Sequence, residues 1–261
     1  RARTPLPVRL AAEAFLPELQ RWDRATAQSV DEFVAISHYI AERIDRIYGR
    51  SSRVIYPPVD CGRFAIAEPS MVGEHYLMVT ALAPYKGVDL AIRAFNRLGK
   101  KLVIIGSGQD ERRVRAMAGP TIEFRGWIDD ESVTRSYREA RAFLLPCDED
   151  FGITPLESMA SGRPVIALGR GGALETVVAG ETGLFFPERE VDALCAAIET
   201  MEREHDRFDP ARLRDHAWSF DVARFRAEVA ALFEEYGAKV PVADRAAARP
   251  LSPNNPPTPS A

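Results

Sequence analysis

The chain is poor in the residues that staple small proteins or hold metals. Among 261 residues there are three cysteines, Cys61, Cys147 and Cys195, far apart and without CxxC spacing. An odd, scattered set of this kind excludes a disulfide framework and a structural zinc site, and it fits a reducing compartment, so a cytoplasmic protein is expected. The four histidines, His38, His75, His205 and His216, stand at no ligand spacing from one another, and His75 is expected at the surface. Positive charge is not in excess: 34 Lys and Arg against 38 Asp and Glu leave a net charge of -4. Nucleic acid and anionic membrane surfaces are therefore not expected as partners, and any anion site must be local. No apolar run reaches membrane-spanning length, and no secretory signal is read. GxSxG, HExxH and Walker strings are absent, which removes the common hydrolase, zincin and P-loop readings. The first residue is Arg rather than Met, so a fragment is expected.

What the chain does have is apolar residues, 46% of the total and ample for a core. The first fifty residues read as helical: "LPELQRWDRATAQSVDEF", a short strand "FVAIS", then "HYIAERIDRIYG" closed by Gly49. "VIYPPVD" reads as a short strand stopped by Pro57-Pro58, within a linker. From residue 76 short apolar strands alternate with amphipathic helices: "YLMVT", "KLVIIG", "IEFRG", "AFLLP", "PVIAL" and "GLFFP", with helices near 88–98, 110–117, 130–140, 155–161, 173–178 and 190–204. That alternation predicts an α/β fold with a doubly wound, Rossmann-like parallel sheet, whose ligands sit at the carboxyl ends of the strands. The expected division is 1–56 as an N-terminal helical remnant and linker, 57–205 as the ligand-binding domain, and 206–237 as C-terminal helices including "FDVARFRAEVAALFEEYG". The Pro-rich tail, 238–261, is expected to be disordered.

Several stretches at those strand ends can carry chemistry. Gly106-Ser107-Gly108 stands where a dinucleotide fold puts its phosphate turn, but Glu111 occupies the place of the third glycine, which favours a plain tight turn. "CDEDFGITPLESMASG" leaves a buried strand and enters a helix, with Thr154 as N-cap and Pro155 at the first helical position. The backbone N–H groups of Phe151, Gly152 and Ile153 then lie near an open helix N-terminus that favours anions and oxygen-rich ligands. Glu149 reaches out of the loop and Glu157 rises from the first helical turn, so two carboxylates can grip two groups of hydroxyls on one extended ligand; a solvated loop charge and a dipole-complementing acid are the plainer alternatives. Lys86, followed by Gly87, lies after the first strand of the sheet and can face a diphosphate, or be merely solvated. "GRGGALETVVAGETG" offers sugar or phosphate contact and ordinary turn geometry equally.

Taken together, "EDFGITPLE", "ASGRPVIALGRGGALETVVAGETGLFF" and "FVAISHYIAERIDRIYGRSSRVIYPPVD" resemble the retaining, nucleotide-sugar-dependent glycosyltransferases of family 4, which have the two-domain GT-B architecture. The likeness runs from about residue 20 to about 235, and "PYKGVDLAIRAFN", "EDFG" and "GGALETV" bring it nearest to mannosyltransferase-like members of polysaccharide and O-antigen assembly. The resemblance implies that Glu149 holds the donor sugar, that Phe151, Gly152 and Ile153 offer amides to sugar and phosphates, and that Glu157 accepts from the ribose. It implies further that Lys86 neutralises the leaving diphosphate, without a metal or other cofactor, and that Gly126, Trp127 and Ile128 lie at the nucleobase. The implied donor is a nucleotide diphosphate sugar, with GDP-mannose foremost. The implied acceptor is a glycan or a lipid-linked hydroxyl, with peripheral association at the inner face of the membrane. Two departures stand out. Relatives carry an Arg five residues before the Lys, where this chain has Ala81, leaving Arg125, Arg163 or Arg170 as substitutes; and the resemblance implies that most of an N-terminal domain is expected outside this chain. The alternative function is thus a truncated or degenerate nucleotide-sugar-binding module without transferase activity.

Overall fold

The computed structural model describes residues 5–237, so the tail expected to be disordered lies outside the described residues. The chain divides into two compact units, one ending at Ile55 and one beginning at Tyr56. In the first, helix α1 (Leu6–Ala27) leads to strand β1 (Phe33–Ala35), helix α2 (His38–Tyr48) and strand β2 (Ser52–Val54), and the two strands pair in parallel. α2 starts where Ser37 Oγ accepts from the Ile40 amide and stops at Gly49, whose φ of 63° breaks the helix. The strand expected at "VIYPPVD" ends at Val54, before the prolines; Tyr56 and Val59 are buried in the second unit.

The second unit is built on six parallel strands: β3 (Tyr76–Val79), β4 (Leu102–Ile105), β5 (Ile122–Gly126), β6 (Ala142–Leu145), β7 (Val165–Leu168) and β8 (Gly183–Phe186). Their order is β5-β4-β3-β6-β7-β8, the doubly wound arrangement of a Rossmann-like α/β fold. β4, β6 and β7 are buried at every residue, which is why they read as unbroken apolar runs. The crossovers are α3 (Val88–Leu98), α4 (Glu111–Met117), α5 (Asp130–Glu139), α6 (Ile153–Ala160) and α7 (Ala173–Thr176), and the last strand is followed by α8 (Val191–Glu204), α9 (Pro210–Trp218) and α10 (Val222–Glu235). α3 buries Val88, Leu90, Ala91, Ile92, Ala94 and Phe95, one stripe of an amphipathic helix. Asp129, Asp209 and Asp221 cap α5, α9 and α10.

Winding reverses between β3 and β6, and there the sheet opens. β3 stays paired with β4 as far as Val79↔Ile105, whereas its pairing with β6 stops at Leu77↔Phe143. The carboxyl ends of β3 and β6 therefore part into a crevice, the place where open α/β sheets bind ligands. Gly87 brings the two lips together. At φ 71° it turns the chain into α3, and a Cβ there would stand 2.3 Å from the carbonyl oxygen of Pro146 at the end of β6.

Candidate functional site

Lys86 closes the short 3-10 turn Pro84–Lys86 after β3, and Glu149 sits in the loop after β6, so the switch point brings them face to face. Lys86 Nζ donates to Glu149 Oε1, with 17% and 23% of the two side chains exposed. The Cys147 thiol donates to the same Oε1 at 3.2 Å. Burial pulls Lys86 down, but the hydrogen bond to Glu149 and its charge outweigh that and hold the ammonium above its ordinary value. Burial first, and the Glu149 charge second, push the Cys147 thiol far above its usual range, so it stays protonated and unreactive. The Glu149 backbone is fixed as well: its carbonyl accepts from the Gly172 amide at 2.7 Å, joining the loops after β6 and β7.

Helix α6 begins two residues earlier than expected. Gly152, at φ 103°, is the N-cap rather than Thr154, and Pro155 occupies the third helical position, where its missing N–H costs no hydrogen bond. The amides of Phe151, Gly152 and Ile153 donate to no protein acceptor among the described residues; Gly152 and Ile153 stand at the positive end of a helix, while Phe151 is buried before it. The Phe151 side chain points away from them into the core. It stacks on Tyr56 at 5.5 Å between centroids, and both rings meet Phe220. Tyr56 is held in turn by its hydroxyl, which donates to Glu175 at 3.0 Å, and by Arg224 over its ring.

The early start of α6 puts Glu157 in its second turn, not the first, so it does not serve as a dipole-complementing acid. Its Oε2 accepts from the Tyr137 hydroxyl of α5 at 2.7 Å. Burial raises the Glu157 pKa, opposed by the Tyr137 hydrogen bond and by the Arg63 charge. Arg63 pairs with Asp130 at 3.0 Å and, with Glu131, Thr134, Arg135 and Arg138, lines a cavity of about 550 Å³ along α5.

The remaining expected residues are not all drawn in. Trp127 is 81% exposed and Ile128 half-buried after the edge strand β5, and among the described residues no hydrogen bond or ring contact joins either to the Lys86–Glu149 pair or to Glu157. Arg163 precedes β7, at the opposite edge of the sheet from the crevice, and is buried; Arg125 is tied to Glu123 and to Ser136 Oγ. Of these three arginines, Arg170, exposed after β7, is the one that stands at the rim. Gly106 and Gly108 serve the close approach of their turn to the backbone of Thr80 and Leu82, which is the plainer of the two readings. His75, expected at the surface, is half-buried with Nε2 unpartnered, and burial lowers its pKa. Among the described residues no group of three or more His, Cys, Asp and Glu side chains is placed to hold a metal. Sequence reading missed Tyr137, Cys147, Tyr56 and Arg63; only Cys147, two residues from Glu149, carried a local signal.

Residues 73–203 match the family model described as Glycosyl transferases group 1. The chain is 28% identical over 251 residues to a GDP-mannose-dependent alpha-(1-6)-phosphatidylinositol monomannoside mannosyltransferase of Mycolicibacterium smegmatis, a match covering 85% of this chain and 66% of that protein. With a glycogen synthase of Mycobacterium tuberculosis it shares 30% identity over 188 residues, 66% of this chain and 45% of the synthase. The chain thus spans less than two thirds of the length of either relative. Among solved structures it superposes on sucrose-phosphate synthase from Thermosynechococcus elongatus with a TM-score of 0.76 at 22% identity, covering 84% of this chain and 61% of that one. On Anabaena HepE, solved with UDP and glucose, the TM-score is 0.73 at 19% identity, covering 85% and 68%. These likenesses fix the fold.

Proposed function

Because the chain belongs to the glycosyl transferases group 1 family, we propose that it forms the donor-binding part of a retaining glycosyltransferase that moves mannose from GDP-mannose to a hydroxyl of a glycan or lipid-linked acceptor. The observation that supports this most is the Lys86–Glu149 pair at the switch point, beside the open amides of Phe151, Gly152 and Ile153. A sugar diphosphate presents hydroxyls at one end and phosphate oxygens next to them, which suits an acceptor carboxylate placed beside N–H donors. In this reading Glu149 accepts from the sugar hydroxyls, the amides bind phosphate oxygens, and Lys86 stabilises the charge that develops on the leaving diphosphate. Glu157 accepts from the ribose hydroxyls, and Trp127 and Ile128 border the nucleobase.

In the transfer, the bond from C1 to the diphosphate oxygen breaks through an oxocarbenium-like state. The acceptor oxygen attacks from the face the diphosphate is leaving, and its proton passes to a phosphate oxygen, so configuration is retained. GDP-mannose is favoured because the mannosyltransferase similar over most of this chain is GDP-mannose-dependent. Ala81, exposed and uncharged at the rim, supports a second reading, nucleotide-sugar binding without transfer.

Calorimetric titration with GDP, UDP and ADP tests the donor assignment. GDP should bind in preference, and Lys86→Met should weaken it about tenfold, the effect of one charge-assisted contact. Failure of all three to bind, with the fold intact, overturns the reading. GDP binding without GDP-mannose turnover, even after Ala81→Arg, selects the binding module.

A further inference from the structure

Charge at the crevice does not add up for a diphosphate. Lys86 is neutralised by Glu149, the Cys147 thiol is held protonated, and Ala81 brings no charge. The open amides at 151–153 supply partial charges, but no net positive side chain stands among these groups. One more cation touches the turn that carries Lys86. Arg189, in the loop between β8 and α8, donates from Nη2 to the Pro84 carbonyl oxygen at 3.1 Å. Its positive charge also acts on the Cys147 thiol, which hydrogen-bonds Glu149.

Arg189, like Arg170, differs from several arginines near the sheet. Arg97, Arg113 and Arg125 are committed to Asp192, Asp110 and Glu123. Arg189 has no carboxylate at ion-pair distance among the described residues, although Glu188 and Glu190 flank it. Its guanidinium carries five donors in a rigid fork, so one nitrogen can keep the Pro84 carbonyl while the other edge takes two phosphate oxygens. We propose that Arg189 is the second cation of the donor site, binding the nucleotide diphosphate alongside Lys86 from the loop after β8. The proposal rests on the donor reading above. It also explains how a rim with alanine at position 81 can receive two to three negative charges: the cation comes from the far end of the sheet rather than from β3.

The test is titration of the whole chain and its Arg189→Ala, Arg189→Lys and Arg170→Ala variants with GDP and, by ligand-detected NMR, with guanosine. Arg189→Ala should weaken GDP about tenfold, leave guanosine unchanged and flatten the salt dependence of GDP binding, with Arg189→Lys intermediate. Unchanged GDP affinity in Arg189→Ala, with an unchanged unfolding midpoint, overturns the proposal. So does equal weakening of GDP and guanosine, which would mean that the loop merely props the site. A loss confined to Arg170→Ala overturns it in favour of that residue. If the unaltered chain binds neither GDP nor guanosine, the donor reading itself fails, and the Arg189 proposal with it.

Discussion

Glu157 is an acid whose fold works against its charge, and Glu157→Gln separates its structural from its functional role. The carboxyl is largely buried, and burial raises its pKa above the ordinary 4.5 despite the Tyr137 hydrogen bond and the Arg63 charge. The folded state thus holds this proton more tightly than the unfolded chain. Its stabilising contribution is complete below pH 4.5 and is lost as pH rises through the raised folded value. Glutamine mimics the protonated acid in shape and keeps an oxygen for the Tyr137 hydroxyl. At pH 4 the variant should therefore match the unaltered chain, while at pH 7.5 it should be the more stable of the two and show the higher Tm. On the proposed ribose contact, the same change should weaken GDP about tenfold, because a hydroxyl donates more strongly to a carboxylate than to an amide. Thermal unfolding by circular dichroism at the two pH values, with GDP titration at pH 7.5, reads both effects. A variant less stable at pH 7.5, or a difference that is the same at both pH values, refutes the claim that burial dominates at Glu157.

Gly87→Ala should destabilise the second unit by at least ~2 kcal/mol in urea unfolding, since the new Cβ must adopt φ 71° and would lie 2.3 Å from the Pro146 carbonyl; a loss under ~0.5 kcal/mol would show that the lips of the crevice have room to yield. Tyr56→Phe should cost about 1–2 kcal/mol for the Glu175 hydrogen bond and leave GDP affinity intact, whereas Tyr56→Leu, which also removes the stack on Phe151, should cost more and weaken GDP binding. Equal GDP affinity in the two variants would mean that the ring cluster does not position the amides at 151–153.

The sheet was readable because its strands are buried on both faces and announce themselves as apolar runs, with amphipathic helices such as Val88–Leu98 between them. Five of the six strands fell within a residue at each end of their expected limits, and the β5 limits were met in full. Boundaries failed at Gly152, whose φ of 103° starts α6 ahead of Thr154 and Pro155, the expected N-cap and first helical residue, and at Val54, where the short strand in the first unit stops before the prolines. Substitutes for Ala81 could not be ranked from the chain alone, because Arg163 and Arg170 lie seven residues apart in sequence yet at opposite edges of the sheet.

The sequence by itself determined the α/β alternation, and with it the edge of the sheet where Lys86, the 149–153 loop and Glu157 must gather, since each follows a strand whose direction the right-handed crossover fixes. Only the tertiary structure decided the partners. Lys86 with Glu149, Cys147 with the same oxygen, Tyr137 with Glu157, Tyr56 with Phe151 and Arg189 with Pro84 are pairs made mostly across strands or loops distant in the chain. Local periodicity carries no record of such pairs. They arise from the order in which strands lie side by side, and a hydrogen bond or ion pair depends on distances of a few ångströms that this order alone sets.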